Sequence, residues 1–111
     1  MGFEPNSICV SYVNKLININ GFESSSVYNL ALSNNIQVLS LEKTSETDPR
    51  ASVVENLRAN FFEKKEPVLG VDYDYLFLED AISFVKIDVE GGELEVITGM
   101  KNSLEKHRPL I

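Results

Sequence analysis

The sequence predicts an α/β fold in which amphipathic helices lie on the faces of a sheet. The first observation is a run of β-branched and aromatic residues at 81–89, which is typical of a strand. The second is the recurrence of apolar residues at helical spacing over 9–17 and over 94–104. Strands that alternate with amphipathic helices indicate a sheet with helices on its faces.

The composition allows one domain and excludes a second independent core. The chain has 111 residues, of which 43% are apolar, and carries 10 basic against 17 acidic residues, for a net charge of −7. A chain of this length buries only about two thirds of its unfolded surface. The acidic balance argues against a nucleic-acid partner and against an anionic membrane surface, because both reward clustered lysine and arginine. It is compatible with a cationic ligand.

The cysteine content and the lack of long apolar stretches predict a cytoplasmic protein without a membrane partner. Cys9 is the single cysteine, so neither an internal disulfide nor a cysteine-based zinc site can form. The residues after Met1 have neither the basic nor the apolar segment of a signal peptide. No apolar stretch approaches the roughly 20 residues that a membrane-spanning helix requires.

A short strand and a helix are predicted at the start of the chain. Glu4 stands at the end of the strand, and the helix begins at Asn6 or Ser7, either of which can cap it. The helix ends near Gly21. Its apolar positions recur every three or four residues and so share one face: Cys9, Tyr12, Val13, Leu16 and Ile17.

The two arms of a hairpin are predicted next. Larger apolar residues alternate along 26–32, as they do in a half-buried strand. The turn-forming pair Asn34-Asn35 follows, and a second apolar stretch at 36–41 begins directly after it. We therefore expect these two strands to pair with each other.

The middle of the chain predicts a loop, a short helix and a strand. Residues 43–52 are polar and are interpreted as a surface loop. Apolar residues at helical spacing indicate a short helix over 53–62. A strand over 67–73 follows. Asp72 and Asp74 near its end are interpreted as solvated loop carboxylates, with a place in the strand that approaches the site as the alternative.

The last third predicts a buried strand and one amphipathic helix. The near-continuous apolar run at 81–89 fits a strand buried on both faces in a parallel sheet. A helix over 93–108 follows, with acidic residues in its first turn and basic residues toward its end, as the helix dipole favours. Pro109 ends this helix, and residues 110–111 resemble the start of another strand.

Glu4 is a candidate ribose-binding residue. In nucleotide-binding α/β folds, a carboxylate at the carboxyl end of a strand accepts hydrogen bonds from both ribose hydroxyls. Phe3-Glu4-Pro5 places an acidic residue at such a position. The alternative is a glutamate that only stabilises the start of the following helix, because the helix dipole favours negative charge there. The tripeptide alone favours the alternative.

Lys86, Asp88 and Glu90 form a second candidate group. Alternate side chains of a strand share a face, so these three would project together toward its carboxyl end. Charged groups that converge there either pair with one another or serve a ligand, because burial of an unpaired charge is costly. The two glycines that follow allow a sharp turn and leave backbone N–H groups near the same edge. A salt-bridged strand end that only orders the turn is the open alternative.

Four segments together resemble a known family. The most specific is Phe84-Val85-Lys86-Ile87-Asp88-Val89-Glu90-Gly91-Gly92-Glu93-Leu94-Glu95-Val96-Ile97. The shorter ones are Phe3-Glu4-Pro5-Asn6, Asn29-Leu30-Ala31-Leu32-Ser33-Asn34 and Arg108-Pro109. In order and spacing these segments resemble the FkbM family of S-adenosylmethionine-dependent methyltransferases across nearly the whole chain.

The resemblance implies a Rossmann-like class I methyltransferase sheet and S-adenosylmethionine as the cofactor. It implies methyl transfer to a hydroxyl oxygen, with a small hydroxylated molecule or a saccharide as the acceptor. Glu4 matches the residue that holds the ribose of the cofactor. Leu30 and Ala31 match the segment that borders the adenine, one by apolar contact and the other through its backbone.

The same resemblance puts Lys86, Asp88 and Glu90 beside the methyl sulfonium and the acceptor, as the catalytic group. Methyl transfer is an in-line displacement that needs positioning, and a base can take the proton of the acceptor. Asp88 is the first candidate for that base or for a group that orients the acceptor, and Glu90 is the second. Lys86 is expected to orient a carboxylate rather than react. Oxygen ligands from Asp88, Glu90 and Glu93 would suit Mg²⁺, but two of these carboxylates have other roles, so no metal is predicted.

The resemblance is incomplete at both ends. The glycine-rich turn of the family, which cradles the methionine end of the cofactor, precedes the Phe3-Glu4-Pro5 element and has no counterpart here. The first strand and the C-terminal strands of the sheet are expected to be missing as well. We therefore expect a single, incomplete methyltransferase domain over 1–111, whose strands pair directly or expose edges that promote self-association. The alternative function is a non-catalytic, truncated α/β module that binds no cofactor.

Overall fold

A computed structural model describes residues 1–48, 51–54 and 64–111. These residues form a mixed α/β structure with two small sheets and four helices. The elements, in chain order, are β1 (Gly2–Phe3), α1 (Ser7–Ile19), β2 (Val27–Tyr28), β3 (Ala31–Ser33), β4 (Gln37–Lys43), β5 (Lys64–Asp72), α2 (Tyr73–Phe77), α3 (Glu93–Gly99) and α4 (Lys101–His107).

The predicted first helix and its cap are confirmed. The Asn6 side chain accepts a hydrogen bond from the Ile8 N–H at 3.1 Å, which satisfies one of the free donors at the start of α1. The helix ends at Ile19, and Gly21 follows with a φ of 67°. The strand predicted over 67–73 is also confirmed, as β5.

The predicted hairpin is wrong. The segment 26–32 divides into β2, which pairs with β1 in parallel, and β3, which pairs with β5 in parallel. β5 lies between β3 and β4, so the two expected arms do not touch as neighbours. β4 pairs antiparallel with β5 from Gln37 to Lys43. A partner of that length satisfies far more backbone groups than the three-residue β3 could.

The predicted strand over 81–89 is also wrong. Within the described part of the chain, its backbone pairing is one isolated parallel bridge between Phe84 and Leu110, which agrees with a strand start at the end of the chain. Phe84 is 61% exposed. Because residues 81–89 have no neighbouring strand on each side, only some of their apolar side chains pack on the core and the others are exposed. The residues that pack on the core are Ile82, Val85 and Ile87.

The predicted helix over 93–108 is two helices, α3 and α4, which are separated at Met100. Met100 has φ −112° and ψ 5°, outside the helical values. Gly99 ends α3 directly against β3, because a Cβ at this glycine would lie 2.0 Å from the carbonyl oxygen of Ser33. The backbone of α3 thus comes close to that of β3 at the point where the predicted helix is interrupted.

Asp72 and Asp74 cap helices, so their interpretation as solvated loop carboxylates is wrong. Asp72 accepts a hydrogen bond from the Tyr75 N–H at 3.1 Å and caps α2. Asp74 accepts from the N–H groups of Asn102 and Ser103, at 2.6 and 2.9 Å, in the first turn of α4. Free N–H groups at a helix start require such acceptors.

Aromatic side chains pack the sheet of β1 and β2 against α2 in the core. Phe3 stacks on Tyr28 with ring centroids 5.5 Å apart, and it meets Tyr73 and Phe77 at 5.9 and 5.6 Å. Such offset and edge-on pairs add to the free energy of burial. Phe3 and Phe77 pack against the buried residues Tyr73, Val96 and Met100. The end of β1 is therefore held against α2 and α3.

A buried polar network anchors the start of α1 to the turn after β4. Lys43 is 4% exposed, and its Nζ lies 2.5 Å from Glu66 and 3.3 Å from Glu46. The hydrogen bond to Glu66 raises the pKa of Lys43 above its usual value, so this lysine stays charged. Asn6 Nδ2 donates to the Glu46 carbonyl at 2.7 Å. The segment that carries Glu4 is thus held to the turn after β4 through Asn6.

Part of the predicted middle segment lies outside the described residues. The helix predicted over 53–62 falls there, except for Val53 and Val54, which form a bend. Of the loop predicted over 43–52, Ser52 is buried and pairs with Glu42 of β4, so this end of the segment is not a surface loop.

Candidate functional site

A cavity of about 660 Å³ opens between the end of β1, the start of β3 and the segment that precedes α3. Its volume lies within the range of roughly 300–1,000 Å³ that is common for small-molecule sites. All six residues that the sequence singled out line it: Glu4, Leu30, Ala31, Lys86, Asp88 and Glu90. Three segments that are distant in the chain therefore meet at one concave surface.

Glu4 is half-buried at the cavity wall and is held by its own turn. The Asn6 N–H donates to Glu4 Oε1 at 2.8 Å, while the Glu4 N–H donates to the Tyr28 carbonyl at 3.0 Å. One carboxylate oxygen is thus engaged by the backbone. The Glu4 backbone itself extends the parallel pairing of β1 with β2.

The Asn29 side chain closes this turn from the other side. Its Nδ2 donates to the carbonyl oxygens of Glu4 and Pro5, at 3.0 and 2.8 Å. Asn29 follows β2 directly and precedes Leu30. A single side chain therefore connects the Glu4 turn to the segment that enters β3.

Leu30 and Ala31 form an apolar part of the cavity wall. Ala31 is 4% exposed and is the first residue of β3, opposite Gly70 of β5. Leu30 is half-buried beside it. The β3–β5 pairing fixes the backbone at Ala31, so this wall has a defined position relative to the sheet.

Lys86 and Asp88 form an ion pair at the mouth of the cavity. Lys86 Nζ donates a hydrogen bond to Asp88 Oδ2, and the two side chains are 67% and 82% exposed. This hydrogen bond and the positive charge of Lys86 lower the pKa of Asp88 below its usual value. Asp88 is therefore a carboxylate at neutral pH, and a weak base.

Glu90 lines the same cavity at the turn into α3. The next residue, Gly91, has a φ of 86°, a conformation that glycine adopts without strain. The buried Ser52 hydroxyl donates to the Glu90 carbonyl at 2.8 Å and accepts from the Val54 N–H at 3.1 Å. The turn at Glu90 is thus tied to the neighbourhood of β4.

A comparison with protein families decides the identity. The model of the methyltransferase FkbM domain matches residues 1–111, the whole chain. The chain belongs to the FkbM methyltransferase family. The comparisons with curated proteins and with solved structures gave no match. The resemblance of the four segments is thereby confirmed, and the mixed α/β structure agrees with a methyltransferase-like fold.

The cavity of this FkbM-family chain also has lining residues that sequence reasoning did not assign to a site. Cys9 was predicted on the apolar face of α1, and its half-buried thiol lines the cavity. Burial, and then the charge of Glu4, raise the pKa of the Cys9 thiol. The sequence signal for Cys9 is its position in the first turn of α1, five residues after Glu4. Tyr73 lines the cavity from α2.

Asn29 and Ser52 were missed for a different reason. Both act through backbone carbonyls of candidate residues, Glu4 and Glu90 respectively, and not through a side-chain pattern. The Asn29 contact becomes evident only from the register of β1 and β2, and the Ser52 contact only from its pairing with Glu42. No local sequence signal carries either of them.

Two further classes of feature are absent from the parts of this FkbM-family chain that the structure describes, residues 1–48, 51–54 and 64–111. No three His, Cys, Asp or Glu side chains there are grouped as a metal site requires. No helix in those ranges has the length and apolar character needed to cross a bilayer.

Proposed function

We propose that this chain is an S-adenosylmethionine-dependent O-methyltransferase domain over 1–111. The acceptor is a hydroxyl of a small molecule or a saccharide, and the elements belong to a Rossmann-like sheet. The single observation that supports the proposal is that the six motif residues, drawn from three distant segments, line one cavity. Parallel pairing of β1 with β2 and of β3 with β5 supports the Rossmann-like organisation.

The cavity suits the chemistry of this cofactor. A carboxylate at the wall, Glu4, can accept hydrogen bonds from ribose hydroxyls, and the apolar wall at Leu30 and Ala31 can border an adenine. Methyltransferases generally use S-adenosylmethionine, whose sulfonium supplies the methyl group when the cofactor is bound.

Asp88 is the residue we assign to the acceptor. As a carboxylate at neutral pH it accepts a hydrogen bond from a hydroxyl and holds the oxygen in one orientation. Lys86 lowers the pKa of Asp88 further and restrains its rotation through the ion pair. Because its low pKa makes Asp88 a weak base, orientation contributes more than proton removal. Glu90, half-buried on the same wall, is the second candidate for the proton.

Asp88→Asn is expected to separate methyl transfer from cofactor binding. The asparagine keeps the size of the side chain but loses the ion pair with Lys86 that restrains it, so the acceptor is no longer held in one orientation and transfer should fall by about 100-fold or more. The affinity for S-adenosylmethionine should stay within about twofold. Release of S-adenosylhomocysteine is measured with a panel of monosaccharides and small alcohols as acceptors. Calorimetric titration with S-adenosylmethionine gives the affinity.

Asp80→Asn is the matched control, because Asp80 is exposed and does not line the cavity. It should behave as the wild type in both assays. Equal turnover by Asp88→Asn and the wild type would remove Asp88 from the mechanism. A folded wild type that binds no S-adenosylmethionine would overturn the proposal and support the non-catalytic α/β module.

A further inference from the structure

We infer that Asn29 is a positioning residue, which sets the Glu4 carboxylate relative to the Leu30–Ala31 wall and so sets the affinity for the adenosine part of the cofactor. The inference rests on the proposed function, because it needs Glu4 and this wall to contact the same ligand. It concerns a residue that lies beside the cavity and does not line it.

The register of β1 and β2 explains why a side chain acts at this point. Phe3 lies opposite Tyr28, and the Glu4 N–H continues the ladder by donating to the Tyr28 carbonyl at 3.0 Å. The next N–H of this strand that would face β2 is that of Asn6, and it donates to Glu4 Oε1 at 2.8 Å instead, so the ladder ends here. The next residue of the other strand, Asn29, supplies a side-chain amide in its place. Its Nδ2 donates to the carbonyls of both Glu4 and Pro5.

Asn29 also stands at the junction of the two sheets. β1 and β2 form one sheet, whereas β3 belongs to the other, and no ladder joins the two sheets among the described strands. Residues 29–30 are the covalent link between β2 and β3. The amide of Asn29 therefore fixes the end of β1 to the chain that enters β3, and with it the separation of Glu4 from Ala31.

Such a link acts on affinity more than on folding. Asn29 is exposed, so its loss removes little buried surface and is expected to cost little folding stability. A site whose parts are held in the binding geometry does not have to order them when the ligand arrives. If the hydrogen bonds of Asn29 are lost, the ligand itself must order the Glu4 turn against the apolar wall. The free energy needed for that ordering lowers the affinity.

The test uses calorimetric titration of the 111-residue chain with S-adenosylhomocysteine. Asn29→Ala removes the amide, and Asn29→Asp keeps its size but removes the donor. Both should weaken binding by about tenfold, the effect of one to two lost hydrogen bonds. Asn20→Ala is the matched control, because Asn20 is also exposed and donates its amide to a backbone carbonyl, that of Leu16, at 2.8 Å. It should bind as the wild type.

A double-mutant cycle with Glu4→Gln separates positioning of Glu4 from a merely structural role. If Asn29 acts through Glu4, then Asn29→Ala should have much less than a tenfold effect when Glu4 is already glutamine. Fully additive effects would overturn the inference. So would wild-type affinity in Asn29→Ala and Asn29→Asp while Glu4→Ala loses binding. If the wild type itself does not bind, the proposed function fails first, and this inference fails with it.

Discussion

Glu4→Ala is expected to weaken the binding of S-adenosylhomocysteine by at least about 100-fold, because two charge-assisted hydrogen bonds to ribose hydroxyls are lost. Glu4 is half-buried, and one of its oxygens already accepts from the Asn6 N–H. The carboxylate is therefore oriented before the ligand binds, so little binding free energy is spent on ordering the side chain. Calorimetric titration measures the affinity directly.

The matched control for this variant is Glu23→Ala. Glu23 is an exposed glutamate in the turn between α1 and β2, and it does not line the cavity. Glu23→Ala removes the same charge from the chain as Glu4→Ala, so a general effect of net charge would appear in both variants. Thermal unfolding of each variant shows whether the fold is kept. Wild-type affinity in a folded Glu4→Ala chain would refute the ribose assignment.

Gly99→Ala is expected to lower the free energy of unfolding by about 3 kcal/mol, at the upper end of what overpacking costs. The new Cβ would lie 2.0 Å from the carbonyl oxygen of Ser33, which is backbone and belongs to β3. Ser33 is buried and its strand pairs with β5, so its peptide cannot move away without disturbing that pairing. The gain in helix propensity, about 1 kcal/mol at most, does not offset this clash.

Urea denaturation gives the change, with Gly92→Ala as the control. Gly92 has a φ of −99°, and a Cβ there would meet Val89 Cγ2 at 3.7 Å, an ordinary contact. The midpoint should fall clearly for Gly99→Ala and stay near the wild-type value for Gly92→Ala. Equal midpoints for the two variants would mean that the backbones of α3 and β3 are not in close contact at Gly99.

Elements specified by nearby residues were predicted well. α1 follows from helical spacing and from a cap that lies two residues before Ile8, and β5 follows from its own apolar run. The pairing of strands was not predictable in the same way. β3 and β4 are adjacent in sequence, but β5, which is distant, separates them. The run at 81–89 has strand composition, yet its pairing among the described residues is one bridge. Both errors concern partners that local patterns do not identify.

The residues of the candidate site also differ in whether the sequence could indicate them. Lys86, Asp88 and Glu90 are charged residues at the end of an apolar run, so the sequence indicates them directly. Glu4, Leu30 and Ala31 are indicated by the family resemblance, and the structure brings all six residues to one cavity. Their functional roles stay predictions. Asn29 and Ser52 have no such signal, because their side chains contact backbone carbonyls that only the register of distant segments brings near.

Hydrogen exchange of the backbone amides, with and without S-adenosylhomocysteine, tests most directly whether this cavity is the cofactor site. The amides at 3–9, 29–32 and 86–92 surround it and should exchange more slowly when the ligand is present. α4, which supplies no lining residue, should be unchanged and serves as the internal reference. Binding with slower exchange confined to other segments would contradict the assignment of the cavity.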